Sequence, residues 1–135
     1  MTKSQNSLYI EDWKEIARKD WERIKRNLRE GDAEAAGFFL QQALEKYLKA
    51  FLLKKGWELR KIHSLSALLD YAIEHSSQLE EFRPLCERVT DYYFAERYPR
   101  LVTPELKPED IENDLGEAER FVKAMFPEEK LNAEK

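Results

Sequence analysis

The chain contains 135 residues with a formal net charge of −4, and it carries 37% charged and 42% apolar residues. This length suits one domain with one hydrophobic core, and the apolar content excludes a disordered chain. Lysines and arginines are spread along the sequence without forming a basic stripe, so the charge does not indicate a general duplex-binding surface.

The single cysteine, Cys86, excludes an intramolecular disulfide and a cysteine-based zinc site. We expect it to be a small buried residue. The N-terminal segment MTKSQNSLYIEDWKE lacks the apolar core of a signal peptide, and no apolar run is long enough to span a membrane. These features predict a cytoplasmic protein that does not enter a membrane.

Two helices joined by a very short link are predicted in the first half of the chain. Apolar residues recur at helical spacing from Trp13 to Leu28, and Gly31 suits a left-handed cap at the end of this helix. Asp32 is the expected N-cap of the second helix, which should run as far as Gly56. A link this short forces an antiparallel helical hairpin.

Three further helices are predicted in the second half. Ser64 is the expected N-cap of the third helix, and Ser77 has capping-box spacing and should open a fourth helical region. Pro84 lies inside that region, where the helix either kinks or restarts with the proline in its first turn. We expect Pro99 to end the fourth helix, and the apolar spacing of residues 111–125 predicts a fifth.

The predicted fold is all-α, an antiparallel up-and-down bundle of four to five helices. No long stretch alternates with a period of two, and no glycine-rich loop follows a predicted strand. We expect one domain over residues 1–135, with a core covering about residues 10–126. Residues 127–135 are predicted to form a frayed tail.

The second predicted helix has a polar face opposite its apolar stripe. One interpretation is a solvated face with weak helical pairs. The aromatic ring of Phe38 would be exposed there, and Gly37 costs about 1 kcal/mol relative to alanine inside a helix; both favour a close contact with another element or molecule. The spacing leaves both interpretations open. The polar side chains form two neighbouring rows, Gln41, Glu45 and Lys49, then Gln42 and Lys46.

Several candidates for chemistry lie outside this helix. His63 is suited either to proton transfer and phosphate contact or to local packing. Arg97 has a planar guanidinium suited to phosphate, and Tyr93 has a ring on which a base can stack; Arg97 could equally pair with a nearby carboxylate. Asp110 and Asp114 are best explained as solvated helix charges. The two histidines lie apart without an evident third ligand, so we expect no metal and no cofactor.

Two motifs carry a resemblance to a known family. The pattern Gln-Gln-Ala-x-Glu-Lys-x-x-Lys-Ala at positions 41–50 and His-Ser-Leu at positions 63–65 resemble the HEPN family, the nucleotide-binding domain of higher eukaryotes and prokaryotes. The pair Ala17 and Asp20 and the segment from Tyr92 to Pro99 also fit. The resemblance covers roughly residues 10 to 126.

This resemblance implies a homodimer with a polar cleft, encoded in many relatives beside a minimal nucleotidyltransferase in a toxin–antitoxin-like pair. A large branch of the family are metal-independent ribonucleases with an Arg-x4-6-His motif, which this sequence lacks. We therefore expect a non-catalytic member, from the non-ribonuclease branch of small prokaryotic proteins, that binds a nucleotide or a nucleic-acid end and acts with a nucleotidyltransferase partner. The alternatives are a divergent ribonuclease toxin and a ligand-free structural or assembly partner. The expected ligand-binding residues are Gln41, Gln42, Glu45, Lys46, Lys49, His63, Tyr93 and Arg97.

Overall fold

The computed structural model describes residues 3–97 and 106–131, and side chains for residues 9–93 and 106–131. These ranges contain no strand, so the predicted all-α fold is confirmed. None of the described helices is apolar over a length that could cross a membrane. The predicted end of the fourth helix at Pro99 lies outside the described residues. The elements are α1 (Lys3–Arg29), α2 (Ala33–Lys54), α3 (Leu65–Ile73), a 3-10 helix (Ser77–Phe82), α4 (Arg83–Arg97) and α5 (Pro108–Met125).

The first two helices form the predicted antiparallel hairpin. The Asp32 carboxylate accepts a hydrogen bond from the backbone N–H of Ala35 at 3.1 Å, which caps α2. Gly31, with φ of +76°, and Gly56, with φ of +92°, adopt the left-handed conformation at the ends of α1 and α2. The local turn chemistry therefore sets both ends of the link and the end of α2.

The second helix is the centre of the bundle. It packs against α1, α3, α4 and α5, and most of its residues are buried. The predicted apolar stripe, including Leu40, Leu44 and Tyr47, is fully buried. Burial extends well beyond this stripe, because α1 and α4 cover the flanks of α2 as well.

Gly37 permits the close approach of α4 and α5 to α2. A Cβ atom at this position would lie 2.9 Å from the Cβ of Tyr92 and 3.2 Å from the Cδ1 of Ile111. The sequence left open whether another backbone or a ligand approaches Gly37. Two neighbouring helices make that approach.

The ends of the later helices are only partly as predicted. The Ser64 hydroxyl accepts a hydrogen bond from the N–H of Ala67 at 3.2 Å and caps α3, as expected. The capping box at Ser77 is wrong, because Ser77 is the first residue of a 3-10 helix that has no side-chain cap. Pro84 lies in the first turn of α4, so the helix restarts there.

The C-terminal segment is folded onto the bundle as far as it is described. The buried Glu129 carboxylate accepts hydrogen bonds from Arg18, at 2.6 and 3.1 Å, and from the Tyr47 hydroxyl at 2.7 Å. Leu131 is also buried. Burial raises the pKa of Glu129, but the hydrogen bonds from Arg18 and Tyr47 outweigh burial and lower it. A frayed tail is therefore the wrong description of residues 127–131, while residues 132–135 lie outside the described ranges.

A buried carboxylate also joins α4 to α5. Asp114, expected to be a solvated charge, is 5% exposed. It accepts hydrogen bonds from the Tyr92 hydroxyl and from the Arg88 guanidinium, the latter at 3.0 and 3.2 Å. Burial raises the pKa of Tyr92, so the phenol keeps its proton and remains a donor. The solvated interpretation of Asp114 is wrong, because α4 covers this face of α5.

Cys86 lies on the core side of α4. It is fully buried, as the sequence predicted. Burial raises the pKa of its thiol to about 12, so the thiol stays protonated and chemically inert.

Candidate functional site

A cleft of about 590 Å³ runs along α2 and is bordered by α1, α4 and the connector before α3. Its remaining walls come from Trp13, Phe38, Ser64 and Thr90. The cleft brings together seven of the eight residues that the sequence predicted as ligand-binding: Gln41, Gln42, Glu45, Lys46, Lys49, His63 and Tyr93.

The eighth predicted residue is Arg97. Its backbone belongs to the last turn of α4, and its side chain lies outside the described residues. A ligand contact by Arg97 therefore stays a prediction.

Glu45 connects the C-terminal half of the cleft floor. Its carboxylate accepts hydrogen bonds from Lys49 at 2.9 Å, from Gln41 at 3.2 Å and from Nδ1 of His63 at 2.8 Å. An ionised carboxylate only accepts, so Nδ1 carries the proton in this contact. Glu45 and Lys49 are 6% and 4% exposed, whereas the His63 ring is exposed. The exposed histidine is thus held in place by a buried acid.

Gln42 and Lys46 continue the network toward α1. Gln42 donates a hydrogen bond to the side-chain oxygen of Gln41 at 2.7 Å. Lys46 donates to Gln42 and to the buried Asp20 carboxylate, both at 3.0 Å. Asp20 also accepts from Arg23 at 2.7 Å. The i, i+4 spacing on α2 therefore produces one continuous polar network across two helices and the connector.

This network decides between the two interpretations of the polar face. Gln41, Glu45 and Lys49 are nearly excluded from solvent, so a solvated face is wrong for this row. Burying charged groups is costly unless they are paired and hydrogen-bonded. Here the Lys49 ammonium is paired with Glu45 and the Lys46 ammonium with Asp20, which makes the arrangement tolerable.

Aromatic rings lie at both ends of the cleft. At the N-terminal end of α2, the ring centroid of Phe38 is 5.6 Å from that of Tyr93 and 5.3 Å from that of Phe39. At the other end, the Lys49 ammonium lies over the Trp13 ring, 5.4 Å from its centroid. Phe38, Tyr93 and Trp13 are all partly exposed, and all three line the cleft.

Sequence patterns do not indicate Trp13 and Asp20 as members of the site. Trp13 fits the apolar stripe of α1, and Asp20 stands out only as part of the family pattern. The predicted hairpin is enough to place Trp13 beside Lys49, because the two residues are equally far from Gly31 along the chain. In an antiparallel hairpin such residues lie side by side.

A second depression of about 480 Å³ lies between α1 and the C-terminal segment. It is formed by the ion pairs around Glu129, including those from Lys14 and Arg18. Lys14, Arg18 and Glu129 each have an opposite charge beside them, which favours a structural role. Within residues 3–97 and 106–131, no group of His, Cys, Asp and Glu is arranged as a metal site.

Comparison with known proteins identifies the class. The family model of the HEPN domain matches residues 10–130, which is most of the chain. The chain belongs to the HEPN domain family, and the resemblance in its motifs is confirmed. The fold is similar to the crystal structure of TT1696 from Thermus thermophilus, with a TM-score of 0.71 and 25% sequence identity, over 86% of this chain and 94% of that chain. No curated protein matches this sequence.

Proposed function

We propose that this HEPN protein is a non-catalytic binding module whose cleft holds a nucleotide unit, either free or at the end of a nucleic acid. The observation that carries the proposal is the convergence of amides, ammonium groups and partly exposed aromatic rings in one cleft. Ligand sites combine a mostly apolar concave wall with a few fixed polar groups. Aromatic rings stack on bases, and lysines donate to phosphate or base oxygens.

The polar groups of the cleft are held ready for a ligand. Gln42 and Lys46 bond to each other and to buried neighbours, so their positions are fixed before binding. A preformed site loses less side-chain entropy when the ligand binds. Lys46 has three N–H donors, of which two are engaged, and the third supports a contact to a ligand oxygen.

The proposal of a non-catalytic role rests on the sequence and on the contacts of His63. The Arg-x4-6-His motif of the family's ribonucleases is absent from the chain. Nδ1 of His63 is bonded to Glu45, which accounts for this histidine as an anchor for the connector. RNA cleavage by the purified protein that is abolished in Arg97→Ala would overturn this part of the proposal.

Calorimetric titration with ATP, GTP and their analogues tests nucleotide binding. Lys46→Met should weaken binding by about 10-fold or more, because a charge-assisted hydrogen bond contributes about 1.5–3 kcal/mol. The variant should fold, since Asp20 keeps Arg23 as a partner. Lys19→Met, the same change at an exposed position of α1, is the control and should leave binding unchanged. If no nucleotide produces either a heat of binding or a thermal shift, the proposal is refuted.

We further propose that the protein is a homodimer that acts with a minimal nucleotidyltransferase in a toxin–antitoxin-like pair. The support is membership of the HEPN family together with the implications of the resemblance. Light scattering measures the mass of the protein alone and after co-expression with an adjacent nucleotidyltransferase gene. A monomeric mass and no co-purification would contradict this pairing. Phe38→Glu that retains helicity but lowers the mass would locate the interface near Phe38.

A further inference from the structure

The two aromatic ends of the cleft lie beside positions of α2 that are about three helical turns apart, a distance longer than one base. Trp13 lies beside Lys49, and the other ring pair is Phe38 with Tyr93. Phe38 and Lys49 are eleven positions apart on α2, which corresponds to about 16 Å at a rise of about 1.5 Å per residue. We call Trp13 the first platform and the pair Phe38 and Tyr93 the second platform.

The floor between the platforms carries little net charge. Its two ammonium groups, on Lys46 and Lys49, are each paired with a carboxylate, on Asp20 and Glu45. Among the described residues of the floor, these charges cancel. Tight capture of phosphate groups depends on unneutralised cations and is strongly salt-dependent. The floor therefore favours neutral, hydrogen-bonding parts of a ligand, and the platforms favour flat rings.

We propose that the cleft binds the end of a single-stranded polynucleotide through two separated bases, one stacked on each platform. This inference rests on the proposed binding of a nucleotide unit and names the form in which that unit is presented. Stacked nucleotides advance about 3.4 Å along a strand, so about six stacked nucleotides, or fewer in an extended strand, span the cleft. A mononucleotide reaches only one platform.

The amides and ammonium groups between the platforms suit the bases that pass over them. Gln42 uses its nitrogen on Gln41 and its oxygen on Lys46; each of these atoms can still make a second hydrogen bond. Contacts of this kind tolerate different bases, as stacking does. We therefore expect binding of single strands with weak sequence preference.

Fluorescence anisotropy with labelled penta-adenylate, as RNA and as DNA, and competition with AMP and ATP test the inference. The pentamer should bind at least about 10-fold more tightly than AMP. Trp13→Leu and Phe38→Leu should each weaken pentamer binding by about 5- to 150-fold, the range for loss of one stacked base. AMP should respond to no more than one of the two substitutions. Comparison of the RNA and DNA pentamers shows whether the sugar contributes.

Two matched controls separate stacking from general damage. Trp57→Leu removes a tryptophan that packs on Tyr71, and Tyr9→Leu removes an exposed ring of α1 that does not line the cleft. Both should leave pentamer binding within about 3-fold of the unmodified protein. If Trp13→Leu does not fold, tryptophan fluorescence of Trp57→Phe reports contact at the first platform, because the other remaining tryptophan, Trp21, is buried. Quenching by the pentamer is expected, and no quenching overturns the inference.

The outcomes distinguish this inference from the proposed function. Binding of AMP as tightly as the pentamer, or insensitivity of the pentamer to both platform substitutions, overturns the two-platform arrangement while nucleotide binding stands. A pentamer affinity that falls more than about 10-fold between 50 and 200 mM salt would mean that phosphates dominate, and would also overturn it. If the protein binds no nucleotide and no pentamer, the proposed function itself is refuted.

Discussion

Replacing Gly37 by alanine tests the packing that positions the second wall of the cleft. The added Cβ would lie 2.9 Å from the Cβ of Tyr92, 3.1 Å from its Cγ and 3.2 Å from the Cδ1 of Ile111. Carbon atoms pack best at about 3.5–4.0 Å, so α4 must move away by at least about 0.6 Å. Tyr92 cannot rotate to relieve this contact, because its Cβ is fixed to the backbone and its hydroxyl is bonded to Asp114.

The expected net loss of stability from Gly37→Ala is about 2 kcal/mol. Overpacking a well-packed core costs about 1–3 kcal/mol, and contact with a Cβ atom places this case at the upper end. Alanine recovers about 1 kcal/mol through its better helix propensity. With an unfolding entropy of about 2.1 cal/mol/K per residue over 135 residues, the melting temperature should fall by about 7 °C.

Thermal melts followed by circular dichroism measure this change, and Gly116→Ala is the matched control. Gly116 also lies in a helix, but a Cβ there would meet nothing within 4 Å. That substitution should gain only the stability that comes from the better helix propensity of alanine, and it should raise the melting temperature by about 3–4 °C. If both substitutions raised it equally, the close approach at Gly37 would not constrain the fold, and the reasoning would be wrong.

Three further single substitutions, one of which is also combined with Lys49→Met, probe the polar contacts by urea unfolding. Glu129→Gln should flatten the pH dependence of the unfolding free energy. Because the pKa of Glu129 is lowered in the folded state, its contribution to stability is present above the unfolded pKa of about 4.3 and is lost as the pH falls through the folded pKa. An equally steep loss of stability between pH 7 and pH 3 in the variant would contradict this. Glu45→Ala should cost about 3–5 kcal/mol, because it leaves the buried Lys49 ammonium without its carboxylate. Adding Lys49→Met should restore part of that loss, and strict additivity would argue against the pair. Asp32→Ala should cost about 1 kcal/mol through loss of the α2 cap; an unchanged unfolding free energy would show that the cap contributes nothing.

The sequence predicted the helices where periodicity and local caps agree. Asp32 and Ser64 cap the helices that follow them, and these contacts involve neighbours within three residues along the chain. The error at Ser77 has a physical reason, because capping-box spacing alone does not distinguish an α-helix from a short 3-10 turn. The position of Glu129 depends on Arg18 and Tyr47, which are far away in the sequence and invisible to local patterns.

The sequence predicts which residue types form the row on α2, but it does not predict the burial of that row. Helical spacing places Gln41, Glu45 and Lys49 on one face, yet it does not reveal that this face is buried. Burial follows from the way in which α1 and the connector containing His63 close over α2. The family motif associates His63 with the α2 row although they are 18 positions apart, but it does not give the burial of that row.

The folded C-terminal segment also constrains how the protein is made. The Tyr47 hydroxyl and the Arg18 guanidinium donate their hydrogen bonds to Glu129, which follows them by 82 and 111 positions along the chain. During synthesis on a ribosome, the α1–α2 hairpin therefore emerges before the acceptor of its Tyr47 and Arg18 donors has been synthesised. The native contacts of Glu129 can form only after the segment around it has left the exit tunnel. A nascent chain arrested before that point would contain the helices but would lack these hydrogen bonds.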